Sequence, residues 1–386
     1  MSRRPVPRAS TARPLVSPLH QSVVYATETP DSLDSIYEGA PGFTYSREGH
    51  PNAHTVASMI DEMEGVSGGT MTSSGMAAVS LALLATVSAG DHVLGSTQLY
   101  GRSLRLMTEE LPRLGIATSL FDSTDIRAAR AAVTPQTKVI LVEVVSNPTL
   151  RVADMEGLAE LAREHGVKLI VDNTFTTPLG YQPFQHGADI VLHSVTKLLS
   201  GHSDVMAGWV ASQDEETNAR MDMLAATWGS SAAPFDCWLA ERGLLSFPLR
   251  FERAQSNAAR LADALAETEG VARVLYPTRP DHPDHNRALQ LLNGAGGNMV
   301  SFDVGGTRAR ANALTQAADL AFAPTLGDIT TTLSHPASSS HRALSPEERE
   351  ALGMGEGFFR VSVGVEPVER LIETLTNAVN SAVQCK

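Results

Sequence analysis

Between residues 68 and 210 the chain alternates short apolar runs with amphipathic stretches. HVLG near residue 92, KVILVEVV at 138–145, VKLIVD at 167–172, ADIVL at 188–192 and MAGWV at 206–210 have the length of buried strands. The intervening DMEGLAELAREHG, residues 154–166, places Leu158, Leu161 and Ala162 on one helical face. Strands flanked by helices predict an α/β domain with a large, mostly parallel sheet covered on both sides. Active residues are expected at the carboxyl ends of its strands.

After Arg250 the pattern changes. Helical periodicity covers residues 251–269, separated strand signals follow at VARVLY, GGNMVSFDV, GDITTTLS and FFRVSVG, and a last helix begins near Glu366. This predicts a smaller C-terminal α/β domain. The segment SHPASSSHRALSPEERE, residues 334–350, is rich in Ser and Pro and reads as a long ordered loop leading into a helix. At 386 residues the chain exceeds the ~250–300 at which single cores stop growing. We divide it into an N-terminal arm, 1–48, a large domain, 49–246, and a small domain, 247–386.

Composition narrows the function classes. No apolar run approaches a membrane span, and the basic, Pro- and Ser-rich N-terminus lacks the apolar stretch of a secretory signal. The cysteines, Cys237 and Cys385, are too few for a disulfide framework, which points to a cytoplasmic protein. A net charge of −13 opposes binding to nucleic acid or an anionic membrane, so an anionic ligand must be held by a few specific residues. GAGGNM at 294–299 lacks the dinucleotide-binding glycine spacing and precedes a strand instead of following one. His193, His202, His335 and His341 show no metalloenzyme spacing, and no metal is expected.

Three segments carry chemistry. LHSVTKLLSGHSD, residues 192–204, sets Lys197 between hydroxyls, Ser194 and Thr196, just past an apolar strand. Hydroxyls there suit a phosphate, and the amine can condense with an aldehyde if its surroundings are dry enough to lower its pKa. Taken alone, such a lysine is more often a solvated surface residue. VDNTF, residues 171–175, ends an apolar strand on Asp172, whose burial calls for a cationic partner such as a pyridinium nitrogen. A helix N-cap is the competing reading for that aspartate. TSSGMAAVSLALLA, residues 72–85, opens a helix on small residues, so the amides of Gly75 and Met76 face an anion with the helix dipole behind them.

These segments occur in one order with QLYGRS, VEVVSNPTLRVAD, APFDCWLAERGL and FRVSVGVE. On them the chain resembles the cystathionine γ-synthase/methionine γ-lyase family of pyridoxal-phosphate (PLP) enzymes, from about Pro18 to the closing helix. The resemblance implies the fold-type-I, aspartate-aminotransferase-like architecture and pyridoxal 5′-phosphate as cofactor. It implies that Lys197 holds the cofactor as a Schiff base, that Asp172 pairs with the pyridine nitrogen, and that Ser194, Thr196, Gly75 and Met76 hold the phosphate. By the same resemblance Asn147 lies near the phenolic oxygen, and Tyr100 stacks on the ring and serves as acid or base. Arg360 takes the substrate α-carboxylate, and Thr325, in place of a serine, keeps a hydroxyl on that side. Tyr45 and Arg47 are expected to reach across a subunit boundary to the neighbour's phosphate, within a homotetramer built of two catalytic dimers.

Within the family, an acidic residue often stands where this chain has Thr44 and Pro324, and it serves substrates with a distal ammonium. Arg102 occupies the place of a cysteine usual in methionine γ-lyases, and Arg105 can meet a distal carboxylate. The resemblance therefore implies γ-elimination on a short sulfur amino acid, with γ-replacement on an O-acylhomoserine as the alternative. A non-catalytic cofactor-binding paralogue is remote, because Lys197, Asp172, Tyr100 and Arg360 are all retained. Methionine, homocysteine, cystathionine and O-acylhomoserine all stay open as substrates.

Overall fold

Among the described residues, seven strands build the larger sheet of the computed structural model: β1 Thr70–Thr72, β2 His92–Ser96, β3 Ala117–Phe121, β4 Thr137–Glu143, β5 Lys168–Asp172, β6 Ile190–His193 and β7 Gly208–Ser212. Residue 12 and residues 14–342 and 345–384 are described, so most of the basic N-terminal segment and Cys385 lie outside the described residues. The strand order is β1-β7-β6-β5-β4-β2-β3. Strands β6, β5, β4, β2 and β3 run parallel, and β7 returns antiparallel to β6. The five apolar runs correspond to β2, β4, β5, β6 and β7. Strand β3 escaped the pattern because it is an edge strand with solvent-facing positions, and β1 is only three residues long.

Central strands β4 to β7 are apolar on both faces because helices cover both. The helix Gly75–Thr86 packs on β6 and β7 from one side, and the helix Met155–His165 packs on β5. Ser74 caps the first of these, its hydroxyl accepting from the amide of Ala77 at 3.2 Å.

The second sheet has the order β10-β11-β12-β9-β8, with β8 Arg273–Leu275, β9 Met299–Asp303, β10 Ala321–Phe322, β11 Thr332–Ser334 and β12 Phe358–Ser362. It is antiparallel except for the β10–β11 pair. Helices Arg308–Ala317 and Val368–Val383 contribute to its core through Leu314, Leu371, Leu375 and Val379.

One helix, Pro234–Ala266, links the two sheets and runs without a break past 246/247. It starts well before the residue 251 read from periodicity. Pro248 lies inside it, and Leu245 and Leu249 face solvent, so neither the usual breaker rule nor an apolar stripe marked its first half. The loop at 334–350 contains a 3-10 turn, Pro336–Ser338, before the helix Pro346–Ala351, which Ser345 and Glu348 cap reciprocally.

Candidate active site

The carboxyl ends of β4, β5 and β6 lie side by side and bring Glu143, Asp172 and His193 to one edge of the parallel sheet. Lys197 follows β6 in a tight turn: its amide donates to the Ser194 carbonyl at 3.0 Å, and its own carbonyl accepts from Gly201 at 2.8 Å. Thr196 fastens the turn to Ala207, its hydroxyl accepting from that amide at 3.0 Å. The Lys197 amine points at Thr325, Nζ to Oγ1 3.4 Å. Burial, with Arg360 adding to it, lowers the pKa of this amine below the ordinary lysine value.

Asp172 accepts from the Thr174 amide at 3.0 Å and is in contact with no cationic side chain among the described residues. Burial raises its pKa, while Thr174 and the nearby His193 act in the opposite direction. Beside it Glu143 receives the Tyr100 amide at 2.5 Å. Burial and the Asp172 charge push Glu143 well above the carboxylate range, with the Tyr100 amide opposing the rise.

Arg360 is central in β12 and 5% exposed. Its Nη1 donates to Asn147 Oδ1 at 2.6 Å and its Nη2 to the Thr325 carbonyl at 2.7 Å, while Nε is buried without a partner among the described residues. Burial pulls its pKa down to about 10, with the Tyr100 phenol opposing the fall. A guanidinium meeting only neutral oxygens is an anion site in waiting. Tyr100 stands at the start of the helix Gly101–Arg105, its side chain partly open to solvent.

The helix Gly75–Thr86 abuts the lysine segment. A Cβ on Gly75 would lie 2.6 Å from Ser194 Cβ and 2.8 Å from its Oγ, so only glycine lets the amides of Gly75 and Met76 approach this close. Those amides head the helix, where no preceding carbonyl is available to accept from them.

Lys197, Asp172, Ser194, Thr196, Gly75, Met76, Asn147, Tyr100, Thr325 and Arg360 thus cluster where the sheets meet. Tyr45 and Arg47 do not join them within one chain. Arg47 donates to the Ala226 carbonyl at 2.7 Å and covers the Tyr45 ring, and it lines a separate cleft of about 450 Å³ with His50, His54, Asp61 and Asp222. Sequence reasoning passed over Glu143 and Thr174. Glu143 lies inside the apolar run 138–145, and a lone carboxylate among those residues was the signal that could have found it.

A family model described as Cys/Met metabolism PLP-dependent enzyme matches residues 6–380. The chain is 40% identical over 337 residues to cystathionine β-lyase MetC of Bacillus subtilis, covering 87% of this chain and 86% of that protein. It is 33% identical over 373 residues to L-methionine γ-lyase of Porphyromonas gingivalis, covering 96% and 93%. Among solved structures, cystathionine γ-synthase of Xanthomonas oryzae superposes with a TM-score of 0.90 at 32% identity, covering 96% of this chain and 94% of that one.

Proposed function

The chain belongs to the Cys/Met metabolism PLP-dependent enzymes, and from that premise we propose that it cleaves the Cγ–S bond of a short thioether amino acid such as methionine. Water and substrate, R–S–CH2–CH2–CH(NH3+)–COO−, give the thiol R–SH, 2-oxobutanoate and ammonium. Its relatives are carbon–sulfur lyases and synthases, and its fold is that of the fold-type-I enzymes.

The donor set fits pyridoxal 5′-phosphate at both ends. Asp172, a half-buried carboxylate with Thr174 as its hydrogen-bond donor among the described residues, suits a protonated ring nitrogen. The amides of Gly75 and Met76, with Ser194 and Thr196, suit the phosphate, and Lys197 holds the aldehyde carbon. When bound, the cofactor supplies an electron sink for charge left at the substrate Cα.

Arg360 binds the α-carboxylate through its unpartnered Nε and an Nη that now spends itself on a neutral oxygen. That fixes Cα near the Lys197 amine, which burial keeps ready to accept a proton. Lys197 moves the Cα proton and then a Cβ proton. Tyr100, held through its amide by Glu143, gives a proton to the departing sulfur. Tyr45 and Arg47 serve the partner subunit's site in a homodimer, two of which form the tetramer.

The observation that carries the short substrate is the pair Thr44 and Pro324, neutral residues at the two places where an acidic one serves a distal ammonium; the Glu48 carboxylate nearby is engaged by the Thr44 hydroxyl at 3.1 Å. Purified protein is expected to be yellow, and borohydride to fix the cofactor on Lys197. Keto acid should form from methionine or homocysteine without added thiol. A product that appears only when O-acylhomoserine and a thiol are both present would assign γ-replacement instead, and turnover of cystathionine alone would overturn the short-substrate reading.

A further inference from the structure

Arg250 is a buried cation that the chemistry above does not use. It lies on the long helix Pro234–Ala266, is 7% exposed, and is in contact with no carboxylate among the described residues. Its guanidinium is spent almost wholly on backbone oxygens. Nη1 donates to the Leu198 carbonyl at 3.0 Å, and Nη2 to those of Leu199 at 3.0 Å, Gly243 at 2.9 Å and Ser200 at 3.4 Å. Nε donates to Ser246 Oγ at 3.1 Å. Burial lowers its pKa, and the more distant Asp328 works against that.

Leu198, Leu199 and Ser200 are the residues that follow Lys197 in its turn. A tight turn that does not continue into a helix leaves carbonyls without backbone donors, and a buried carbonyl left unpaired costs about 1–3 kcal/mol. Arg250 satisfies those of Leu198 and Leu199 with one planar fork, which a lysine cannot do, and shares that of Ser200 with His202 Nδ1, which lies 2.6 Å from it. The fit is close: a Cβ on Gly201 would come within 1.9 Å of Nη1.

The other side of the same turn carries the segment that leads to the carboxylate site. Gly327, at φ +86°, rests on the turn so closely that a Cβ there would lie 2.6 Å from the Leu198 nitrogen and 2.8 Å from the Lys197 carbonyl carbon. The Ile329 amide donates to the Gly201 carbonyl at 2.7 Å, and the Gly327 amide to Ser362 Oγ at 2.8 Å. Two residues before Gly327, Thr325 accepts from Lys197 through its hydroxyl and from Arg360 through its carbonyl.

We propose that Arg250 is a positioning residue that sets the placement of the Lys197 amine relative to the Arg360 guanidinium, by pinning the turn on which the Thr325–Ile329 segment rests. This rests on the roles given above to Lys197 and Arg360. Arg250 touches neither substrate nor cofactor.

The test uses the holoenzyme with R250A and R250K, measuring kcat and KM, thermal unfolding, and the pH midpoint at which borohydride fixes pyridoxal 5′-phosphate on Lys197 of the cofactor-free chain. R250A should lose at least tenfold in kcat and raise the substrate KM. R250K, which keeps the charge and loses the fork, should recover less than a third of the lost kcat. The labelling midpoint should move toward that of an ordinary lysine as the turn loosens, and millimolar guanidinium should restore activity to R250A while leaving the wild type unchanged. If kcat, KM and the labelling midpoint stay within twofold or 0.2 pH of wild type while only the melting temperature falls, Arg250 is a scaffold residue and the proposal is overturned. Failure of both variants to fold overturns it equally. If the wild type itself takes no label on Lys197, the functional reading fails first, which separates the two.

Discussion

Arg360 is the residue whose surroundings most constrain the chemistry. An arginine in the middle of a buried strand, with neutral oxygens on both Nη atoms and nothing on Nε, is costly unless an anion completes it. R360K should therefore raise the substrate KM by about 30- to 100-fold, the ~2–3 kcal/mol of a lost charge-assisted fork, while the apo chain still folds. Steady-state kinetics beside a melting curve checks this. His341 and His282 belong to the same scale. Burial holds both near pKa 4, with Arg360 adding to it for His341. The folded chain thus takes up fewer protons than the unfolded chain between about pH 6.5 and 4, so this share of stability is complete above 6.5 and is lost as pH falls toward 4. Denaturation midpoints measured across that window should fall with pH, and more shallowly in H341N. Arg360 was legible as an ionisable group inside an apolar strand, whereas Lys197 and Asp172, each ordinary by itself, stood out only through the ordered motifs shared with the family. Arg250 was not legible: it follows Pro248 and Leu249 in what reads as a helix boundary, and its partners are carbonyls about fifty residues away.

At the scale of elements, the helix Gly75–Thr86 and the turn after β6 form one seat. The first offers amides, the second hydroxyls and the amine, and the missing Cβ of Gly75 lets them meet. G75A should weaken cofactor binding at least tenfold, read by absorbance titration of the apo chain, because Ser194 or the helix must shift. S74A should cost about 1 kcal/mol through loss of the cap on Ala77, with a smaller effect on affinity. A G75A chain with unchanged affinity would remove the helix start from the proposed phosphate seat. Helix starts and apolar strands were readable from local pattern, since capping residues and β-branched runs act over a few positions. The exposed edge strand β3 and the helix through Pro248 were not, because tertiary packing overrode local preference there.

The molecule as a whole brings its two sheets together around the loop after β4. Arg151 grips Asp284 with two bonds, 2.6 and 3.0 Å, Asp284 also accepts the Val152 amide at 3.0 Å, and Ser301 of β9 donates to the Pro148 carbonyl at 2.6 Å. Asn147 stands in this loop and Arg360 in the second sheet, so the clamp sets the distance between them. D284A should destabilise the fold by about 2–4 kcal/mol, given that Arg151 is partly solvated, and should raise the substrate KM as well. Denaturant unfolding with kinetics on the same preparation tests the pair of effects. By itself the sequence determined the parallel sheet and the second smaller sheet, which follow from periodicity, and the cofactor class, which follows from the ordered motifs by which the chain resembles its family. Only the tertiary structure decided that Glu143 sits against Asp172, that Asn147 and Thr325 both lean on Arg360, that Arg250 braces the lysine turn, and that Tyr45 and Arg47 lie apart from Lys197. Each of these is a meeting of segments distant in the chain, and the forces that select them act through space between packed surfaces instead of along the backbone.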